Sequence, residues 1–383
     1  MKHSKRGMKI VFHASFCYVM IDNPFNFYYN FYEVNLMKIS ELDKNMKIDS
    51  NIAEPGIVFR HMDEEPFEVL GVTRYQDHYI RMDADVAKSL ETGVYDLAQH
   101  TSGGRVRFMT DSEYIALSCK VPQSNNMYHA TRAMQSGFDL YADGIFRYVL
   151  ASHEGDHIHK YEGIVHFGER KMREIVINMP LYNSVNDLYI GLEGDCKVGA
   201  CKPYEKKMVF YGSSITQGGC ASRPGNCYTS IVAREKGWDY LNLGFSGNAK
   251  GETVMAEYIA NLSMDLFVMD YDHNAPNVEH LKNTHKTFFD IVRKKRPDLP
   301  ILILTMPDHL RSDDAHLRTA VVYDTYLQAK ESGDKNVYFI SGAEMIGKYG
   351  YDNCFVDGCH PTDMGFFRMA EAVLNQLDRI GLK

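Results

Sequence analysis

The sequence MVFYGSSITQGG (residues 208–219) joins an apolar run to a turn that contains two serines and two glycines. Continuous apolar residues of this kind predict a strand that is buried on both faces of a parallel sheet. In an open α/β sheet, ligands lie outside the carboxyl ends of the strands, which is where Ser213 and Ser214 fall. The stretch therefore predicts an α/β fold with a functional turn after its first strand.

From this strand onward, apolar runs alternate with amphipathic helical segments. The alternation predicts a parallel five-stranded sheet with helices on both faces, which is a three-layer α/β/α arrangement. The predicted strands are 208–212, 240–244, 266–270, 301–305 and 337–341, and the predicted helices are 228–236, 252–262, 278–296, 313–332 and 363–379.

The preceding part of the chain has a different pattern, with short strands and frequent turn dipeptides. VRFMTDSEYIALSCKV (106–121) alternates apolar and polar residues around a turn, and FDLYADGIFRYVLA (138–151) turns at Asp143-Gly144. Such a pattern favours an all-β sandwich of the jelly-roll kind. We therefore predict three parts, which are a disordered or wrongly included extension over 1–36, a β-sandwich domain over 37–205 and an α/β domain over 206–383.

The bulk composition argues against several classes of function. The net charge of −8 disfavours non-specific nucleic-acid binding, which requires a basic surface. No apolar run reaches the length of about 18 residues that a transmembrane helix needs. Lys2, Lys5, Arg6 and Lys9 precede a short apolar stretch (10–20) that resembles a weak signal peptide, but no small-x-small cleavage site follows. We expect a cytoplasmic protein, with secretion as the alternative.

The turn after the first strand could either bind a phosphate or present a nucleophile. A phosphate cradle requires a G-x-G-x-x-G or G-K-[ST] pattern, which YGSSITQGG (211–219) lacks. A serine at a strand-to-helix turn instead exposes its hydroxyl near backbone N–H groups that can stabilise an oxyanion. Because a serine alone is a weak nucleophile, this interpretation requires a base at the same edge of the sheet.

His360 in FVDGCHPTDMG (355–365) satisfies that requirement. It follows the last strand and directly precedes the last helix, and Asp357 lies three residues before it. One turn can therefore present a base together with the carboxylate that orients it. The alternative for this segment is a plain turn in which Thr362 or Asp363 caps the helix.

Two further loops are expected at the same edge of the sheet. LGFSGNAKG (243–251) follows the second strand and is rich in glycine, so its backbone N–H groups can face the site. MDYDHNAP (269–276) follows the third strand and offers the side-chain amide of Asn274. Each segment alone could be an ordinary loop, but four such elements at one edge predict a catalytic site.

In this combination the four segments resemble the blocks of the SGNH (GDSL-type) hydrolases, which supply Ser, Gly, Asn and His in this order. YGSSITQGG is similar to the nucleophile block, NLGFSGN to the glycine block, DYDHNAP to the asparagine block and DGCHPTDMG to the Asp–His block. The resemblance covers roughly residues 206–383. The preceding half resembles the β-sandwich domain that accompanies one bacterial branch of these enzymes.

Carried over to this sequence, the resemblance implies a catalytic triad and an oxyanion hole. The triad would consist of Ser214 as nucleophile, His360 as base and Asp357 as its orienting carboxylate. The oxyanion hole would be formed by the backbone N–H groups of Ser214 and Gly247 and by the side-chain amide of Asn274.

Two positions depart from the family pattern. Ser213 stands where the family usually has Asp, and D-Y-D-H-N (270–274) replaces the usual Gly-x-Asn-Asp. A serine hydroxyl can still cap the turn. Asp270, Asp272 and His273 also form a possible metal cluster, although the implied mechanism requires neither a metal nor an organic cofactor.

The implied activity is hydrolysis of a carboxylic ester through an acyl-enzyme at Ser214. We expect the substrate to be a small-molecule or carbohydrate ester, with acetyl or another short acyl group removed from a sugar. The absence of a long apolar lid segment argues against the second interpretation, a lipase or thioesterase. A third interpretation is a non-catalytic carbohydrate-binding protein on a hydrolase fold, which would have no need of a base and its orienter.

Overall fold

The computed structural model describes residues 50–122, 127–152 and 159–382, together with the backbone of residues 9–13 and 16–20. Strands Lys9–His13 (β1) and Phe16–Met20 (β2) pair as an antiparallel hairpin within an N-terminal unit, Met1–Ala53. The predicted extension over 1–36 otherwise lies outside the described residues. All other elements belong to a second unit, Glu54–Lys383.

Short strands separated by turns make up the first half of the second unit. They are, in chain order, Ile57–His61 (β3), Glu68–Leu70 (β4), Thr73–Tyr75 (β5), His78–Ile80 (β6), Arg105–Thr110 (β7), Tyr114–Lys120 (β8), Phe138–Ala142 (β9), Ile145–Leu150 (β10), Lys160–His166 (β11), Arg173–Asn178 (β12), Asp187–Glu193 (β13) and Val198–Gly199 (β14).

Ten of these strands form two antiparallel sheets that enclose one core. One sheet has the order β10-β9-β12-β7-β14, with β4 also paired to β7, and the other has the order β11-β8-β13-β3. Phe108 and Ile177 of the first sheet are buried in the same apolar cluster as Leu117 and Ile190 of the second. The alternation of apolar and polar residues therefore predicted the β-sandwich correctly.

An insertion between β6 and β7 connects the first half of the unit with the second half. It contains helices Ala84–Ser89 (α1) and Thr92–Ala98 (α2), and a further short helix, Arg132–Ser136 (α3), precedes β9. Ala87 and Val94 of the insertion are fully buried in an apolar cluster with Leu243 and Phe245 of the second half. The insertion thus covers part of one face of the parallel sheet.

The second half is the predicted three-layer α/β/α arrangement. Strands Lys207–Gly212 (β15), Asp239–Gly244 (β16), Leu266–Asp270 (β17), Ile301–Leu304 (β18) and Val337–Ile340 (β19) are all parallel, in the order β16-β15-β17-β18-β19. The helices are Ser214–Gln217 (α4), Tyr228–Lys236 (α5), Thr253–Asn261 (α6), Val278–Lys295 (α7), Ala315–Glu331 (α8), Gly342–Ile346 (α9) and Asp363–Arg379 (α10). Helices α6, α7 and α8 contribute to the apolar cluster on one face, and α5 and α10 to the cluster on the other.

Buried arginines join the two halves. Arg81 donates to the backbone oxygens of Asn242 and Gly244, at 2.9 and 2.8 Å, and Arg105 pairs with Asp239 at the start of β16. Shortly before the predicted boundary between the halves, residues 198–199 form β14, which pairs with β7 of the sandwich. The division of the chain into domains at residues 205 and 206 remains a prediction.

None of the helices in the described part of the chain combines the length and hydropathy that crossing a bilayer requires. The cytoplasmic location expected from the sequence stays a prediction.

Candidate active site

Ser214 begins the short helix α4 immediately after β15. Ser213 is the N-cap of this helix, and its Oγ accepts a hydrogen bond from the backbone N–H of Ile215 at 3.1 Å. The helix ends at Gly218, whose φ of 111° lies in the left-handed region that favours glycine. Of the two adjacent serines, Ser213 therefore shapes the turn, which leaves the hydroxyl of Ser214 for other contacts.

Two glycines at the strand ends allow α4 to lie close to the sheet. A Cβ on Gly212 would lie 2.1 Å from Oγ1 of Thr216, and a Cβ on Gly244 would lie 2.2 Å from the backbone nitrogen of Gln217. Any larger residue at either position would push the helix away from the edge of the sheet. The glycines that end β15 and β16 are thus required by the position of the serine-bearing helix.

The three residues predicted to form a triad are joined by hydrogen bonds. Nε2 of His360 lies 3.0 Å from Oγ of Ser214, and Nδ1 of His360 lies 2.8 Å from Oδ2 of Asp357. Oδ1 of Asp357 accepts the backbone N–H groups of His360 at 2.8 Å and of Cys359 at 3.0 Å. Because the carboxylate holds both the ring and the backbone of the same turn, the orientation of the imidazole toward Ser214 is fixed from two sides.

The same contacts keep Asp357 charged. Partial burial acts to raise its pKa, but the hydrogen bonds from the backbone and ring of His360, the charge of that ring and the N–H of Cys359 outweigh burial and lower the pKa to about 2. Asp357 is therefore a carboxylate throughout the neutral range. Thr362 also caps α10 by accepting from the N–H of Gly365 at 3.3 Å, so the segment contains both the cap and the Asp–His pair.

The predicted oxyanion residues lie in loops on both sides of the serine. Gly247 follows β16 and Asn274 follows β17, and these strands flank β15. Gly247 adopts a φ of 70°, and Oδ1 of Asn274 accepts the N–H of Ala249 from the neighbouring loop at 3.3 Å. This bond ties the two loops together and leaves the amide nitrogen of Asn274 without a hydrogen-bond acceptor among the described residues.

The first acid of the D-Y-D-H-N segment lies beneath the site. Oδ2 of Asp270 accepts from Oγ1 of Thr216 at 2.9 Å and from the hydroxyl of Tyr228 at 3.0 Å. Complete burial and the nearby Asp272 raise the pKa of Asp270 to about 7. Burial likewise raises the pKa of Asp272 to about 6, and its Oδ2 accepts the N–H of Met306 at 3.0 Å. Both carboxyl groups thus anchor the polypeptide around the strand ends.

His273 points to a different partner. Its Nε2 lies 3.0 Å from both oxygens of the fully buried Asp308, and 3.5 Å from Sγ of Cys359. Burial opposes the charge on His273, but the hydrogen bond and charge of Asp308 raise its pKa well above the ordinary value. In the described part of the chain, neither Asp270 nor Asp272 belongs to a group of three metal-ligating side chains. The three residues that the sequence offered as a possible metal cluster therefore face different partners.

Several contacts to the site come from the β-sandwich half, and sequence analysis missed them. The hydroxyl of Tyr182 donates to the carbonyl oxygen of Ser214 at 3.1 Å, and Oγ of Ser102 donates to that of Gln217 at 2.6 Å. Gln217 in turn donates through Nε2 to the backbone oxygen of Leu181 at 3.0 Å. These residues belong to no local motif, so only the folded chain shows that both ends of α4 are held by the other half.

Comparison with known proteins agrees with this architecture. Residues 205–378 match the GDSL-like lipase/acylhydrolase family, and residues 57–198 match the N-terminus of the SGNH-hydrolase-type esterases. No curated protein sequence matches the chain.

Solved structures share the fold over most of the chain. A structure assigned as a GDSL-like lipase from Bacteroides ovatus ATCC 8483 is 28% identical, with a TM-score of 0.76 over 85% of this chain and 98% of its own. A salicylyl-acyltransferase from a tetracycline biosynthetic pathway is 18% identical, with a TM-score of 0.71 over 86% of this chain and 98% of its own. An acetyl xylan esterase from the rumen bacterium Butyrivibrio proteoclasticus is 13% identical, with a TM-score of 0.56 over 85% and 99%. With its two family matches side by side, the chain belongs to the SGNH (GDSL-type) hydrolases that have an N-terminal β domain, and it is a hydrolase of ester bonds.

Proposed function

We propose that the protein is a serine carboxylester hydrolase that forms an acyl-enzyme at Ser214. The observation that carries the proposal is the continuous hydrogen-bonded path from Oγ of Ser214 through both ring nitrogens of His360 to Asp357. A carboxylate on Nδ1 holds the proton there, so Nε2 keeps the lone pair that faces the serine. The imidazole is therefore in the tautomer that a general base requires.

In the proposed first step, Oγ of Ser214 attacks the carbonyl carbon of the ester and Nε2 of His360 takes the hydroxyl proton. The imidazolium that forms is stabilised by the charged Asp357, and it then donates the proton to the leaving alcohol oxygen. In the second step, His360 takes a proton from water as the water oxygen attacks the acyl-enzyme. The acid is released and Ser214 regains its proton.

The oxyanion of each tetrahedral intermediate needs donors at the same edge of the sheet. We assign this role to the backbone N–H groups of Ser214 and Gly247 and to the side-chain amide of Asn274. Ser214 is the first residue of α4, where backbone N–H groups have no partner within the helix. The free amide nitrogen of Asn274 supports its assignment, since its oxygen is already bonded to the loop that contains Gly247.

The proposed substrate is an acetyl or short acyl ester of a carbohydrate. Relatives with this fold include the acetyl xylan esterase and family two carbohydrate esterases, one of them solved in complex with cellohexaose. In this chain, Tyr128 is 91% exposed and its ring stands beside the ring of His129, which itself contacts His360. An exposed aromatic ring that is separated from His360 by one other ring is suited to packing against a sugar ring.

A lipase or thioesterase acting on other acyl esters is the second candidate. The side chain of Val356, directly before Asp357, is 45% exposed and could contact a longer acyl chain. Rates on p-nitrophenyl esters of increasing chain length, compared with rates on acetylated xylo-oligosaccharides, separate the two candidates.

The proposal is tested by replacing the two adjacent serines separately. Ser214→Ala should lower kcat for p-nitrophenyl acetate by about 10⁴-fold or more, because it removes the nucleophile. Ser213→Ala is the matched control, since it removes only the cap to Ile215, costs about 1 kcal/mol of stability and should keep most of the activity. An active Ser214→Ala variant beside an inactive Ser213→Ala variant would overturn the assignment.

A further inference from the structure

A second histidine, supplied by the β-sandwich half, lies against His360. His129 stands between β8 and α3, and the centroid of its ring is 5.4 Å from that of His360, with the ring planes at 38°. The Nδ1 atom of His129 is buried and has no hydrogen-bond partner among the described residues. Buried ring nitrogens are ordinarily hydrogen-bonded, so one without a partner indicates a group that can accept a ligand.

The thiol of Cys220 completes a set of three possible metal ligands. Its Sγ and one ring nitrogen each from His129 and His360 all lie within 4.8 Å of one another. Zinc–nitrogen bonds of about 2.0 Å and zinc–sulfur bonds of about 2.3 Å place tetrahedral ligands about 3.3–3.5 Å apart. Side-chain shifts of about 1 Å would therefore bring the three atoms to coordination distance.

The chemistry of these ligands selects the kind of metal. Two imidazoles and a thiolate suit Zn²⁺ and Cd²⁺, whereas Mg²⁺ and Ca²⁺ prefer oxygen ligands. On His360 the nitrogen left for a metal is Nε2, because Nδ1 is bonded to Asp357. That same Nε2 is the atom that faces Oγ of Ser214 at 3.0 Å.

We propose that His129, Cys220 and His360 form an inhibitory zinc site, in which the metal takes the lone pair of Nε2 that the serine needs. Binding forms bonds from Zn²⁺ to both nitrogens and to Sγ, and the thiol proton of Cys220 is released to solvent. The fourth position on the metal remains open to water. The enzyme would be inactive while zinc is bound and active once a chelator removes the metal.

A second group of possible ligands, His273, Asp308 and Cys359, is a less suitable site. Nε2 of His273 lies at hydrogen-bond distance from both carboxylate oxygens of Asp308, so these two possible ligands already have each other as partners. Cys359 is also grouped with Asp357 and His360, so replacing it tests whether a metal would bind through Cys359 instead of through Cys220.

The test uses the full chain, freed of metal with a chelator. Zn²⁺ is titrated by calorimetry, Cd²⁺ by the ultraviolet absorbance of its thiolate bond, and p-nitrophenyl acetate hydrolysis is followed in parallel. We expect one Zn²⁺ per chain, loss of activity in proportion to occupancy, and recovery with EDTA. His129→Gln and Cys220→Ser should each weaken Zn²⁺ binding and inhibition by about tenfold or more, which is the effect of losing one ligand. Cys359→Ser should leave both unchanged.

Only the inhibition arm of this experiment rests on the proposed function. A protein without esterase activity that still shows Cd–thiolate absorbance, lost in Cys220→Ser, would support the metal site and refute the catalytic proposal. No heat of binding for Zn²⁺, unchanged binding in both His129→Gln and Cys220→Ser, or loss of binding in Cys359→Ser alone would overturn the zinc site. Using two ligand variants keeps the test decisive if one of them fails to fold.

Discussion

Replacing Asp357 by Asn would change the charge of the proposed triad with little change of shape. The carboxylate of Asp357 accepts three hydrogen bonds, one from the ring of His360 and two from the backbone N–H groups of His360 and Cys359. An asparagine can keep the two backbone bonds through Oδ1. Its NH₂ group then faces Nδ1 of His360, where the carboxylate oxygen was.

The expected loss of activity follows from the tautomer that this arrangement imposes. An NH₂ donor opposite Nδ1 requires a lone pair there, so the ring proton moves to Nε2 and points at Ser214. His360 then donates to the serine and cannot act as its base. The kcat/KM for p-nitrophenyl acetate should fall by about 10⁴-fold, which corresponds to about 5 kcal/mol of transition-state stabilisation.

The assay compares kcat/KM and thermal midpoint for three variants. Asp357→Ala removes the carboxylate without imposing a tautomer, so it should be no less active than Asp357→Asn. Asp352→Asn is the matched control, because it removes the same charge from an exposed position in the same segment and should leave activity unchanged. If folded Asp357→Asn kept more than about a tenth of the wild-type rate, the carboxylate would not set the tautomer and the argument would fail.

Three further changes probe the base, a buried acid and the join between the halves. His360→Ala should lower kcat/KM for p-nitrophenyl acetate by orders of magnitude, because it removes the proposed base, and an active variant would indicate another base. Burial raises the pKa of Asp270 to about 7, above the 3.8 of an exposed carboxyl. Between these two pH values the native chain holds a proton that the unfolded chain has lost. The free energy of unfolding therefore falls as the pH rises. From pH 5 to pH 8, the stability of Asp270→Asn relative to wild type should therefore rise by about 3 kcal/mol in urea unfolding, whereas parallel pH curves would contradict the raised pKa. Asp139→Ala should lower the free energy of unfolding by about 3–5 kcal/mol, because it leaves Arg223 without its buried partner at 2.8 Å, and a loss below about 1 kcal/mol would show that the pair is not essential.

The bounds of the parallel sheet's strands could be predicted closely because each strand is a continuous apolar run in the sequence. Strand β17 has the predicted bounds, and β18 ends one residue earlier than predicted, at Leu304. Helices α5 and α10 also have the predicted bounds, 228–236 and 363–379. The short helices α1 and α2 were missed, since six or seven residues are too few to show a helical period.

In the candidate site, too, residues that are close in sequence could be predicted, and residues whose partners are distant in sequence could not. Asp357 and His360 lie in one turn, so their pairing could be predicted from spacing alone. The roles of Asp270 and Asp272 could not, because the same carboxylates can bind a metal or anchor a buried loop, and only their partners decide. Cys220 gave no local signal either, since its neighbours in space come from distant parts of the chain.

The β-sandwich half is therefore part of the structure that holds Ser214, the proposed nucleophile. The carbonyl oxygen of Ser214 accepts from the N–H groups of Gly218 and Gly219 within its own turn and from the hydroxyl of Tyr182 outside it. Serine nucleophiles depend on an exact distance to their base, and an error of about 1 Å can cost a hundredfold in rate. Tyr182 and Ser102 fix α4 from one side, and His360 lies in the turn before the last helix, so the 3.0 Å contact between Ser214 and His360 is set by packing between the halves. The arginine contacts of Arg81, Arg105 and Arg223 between the halves contribute to the same packing.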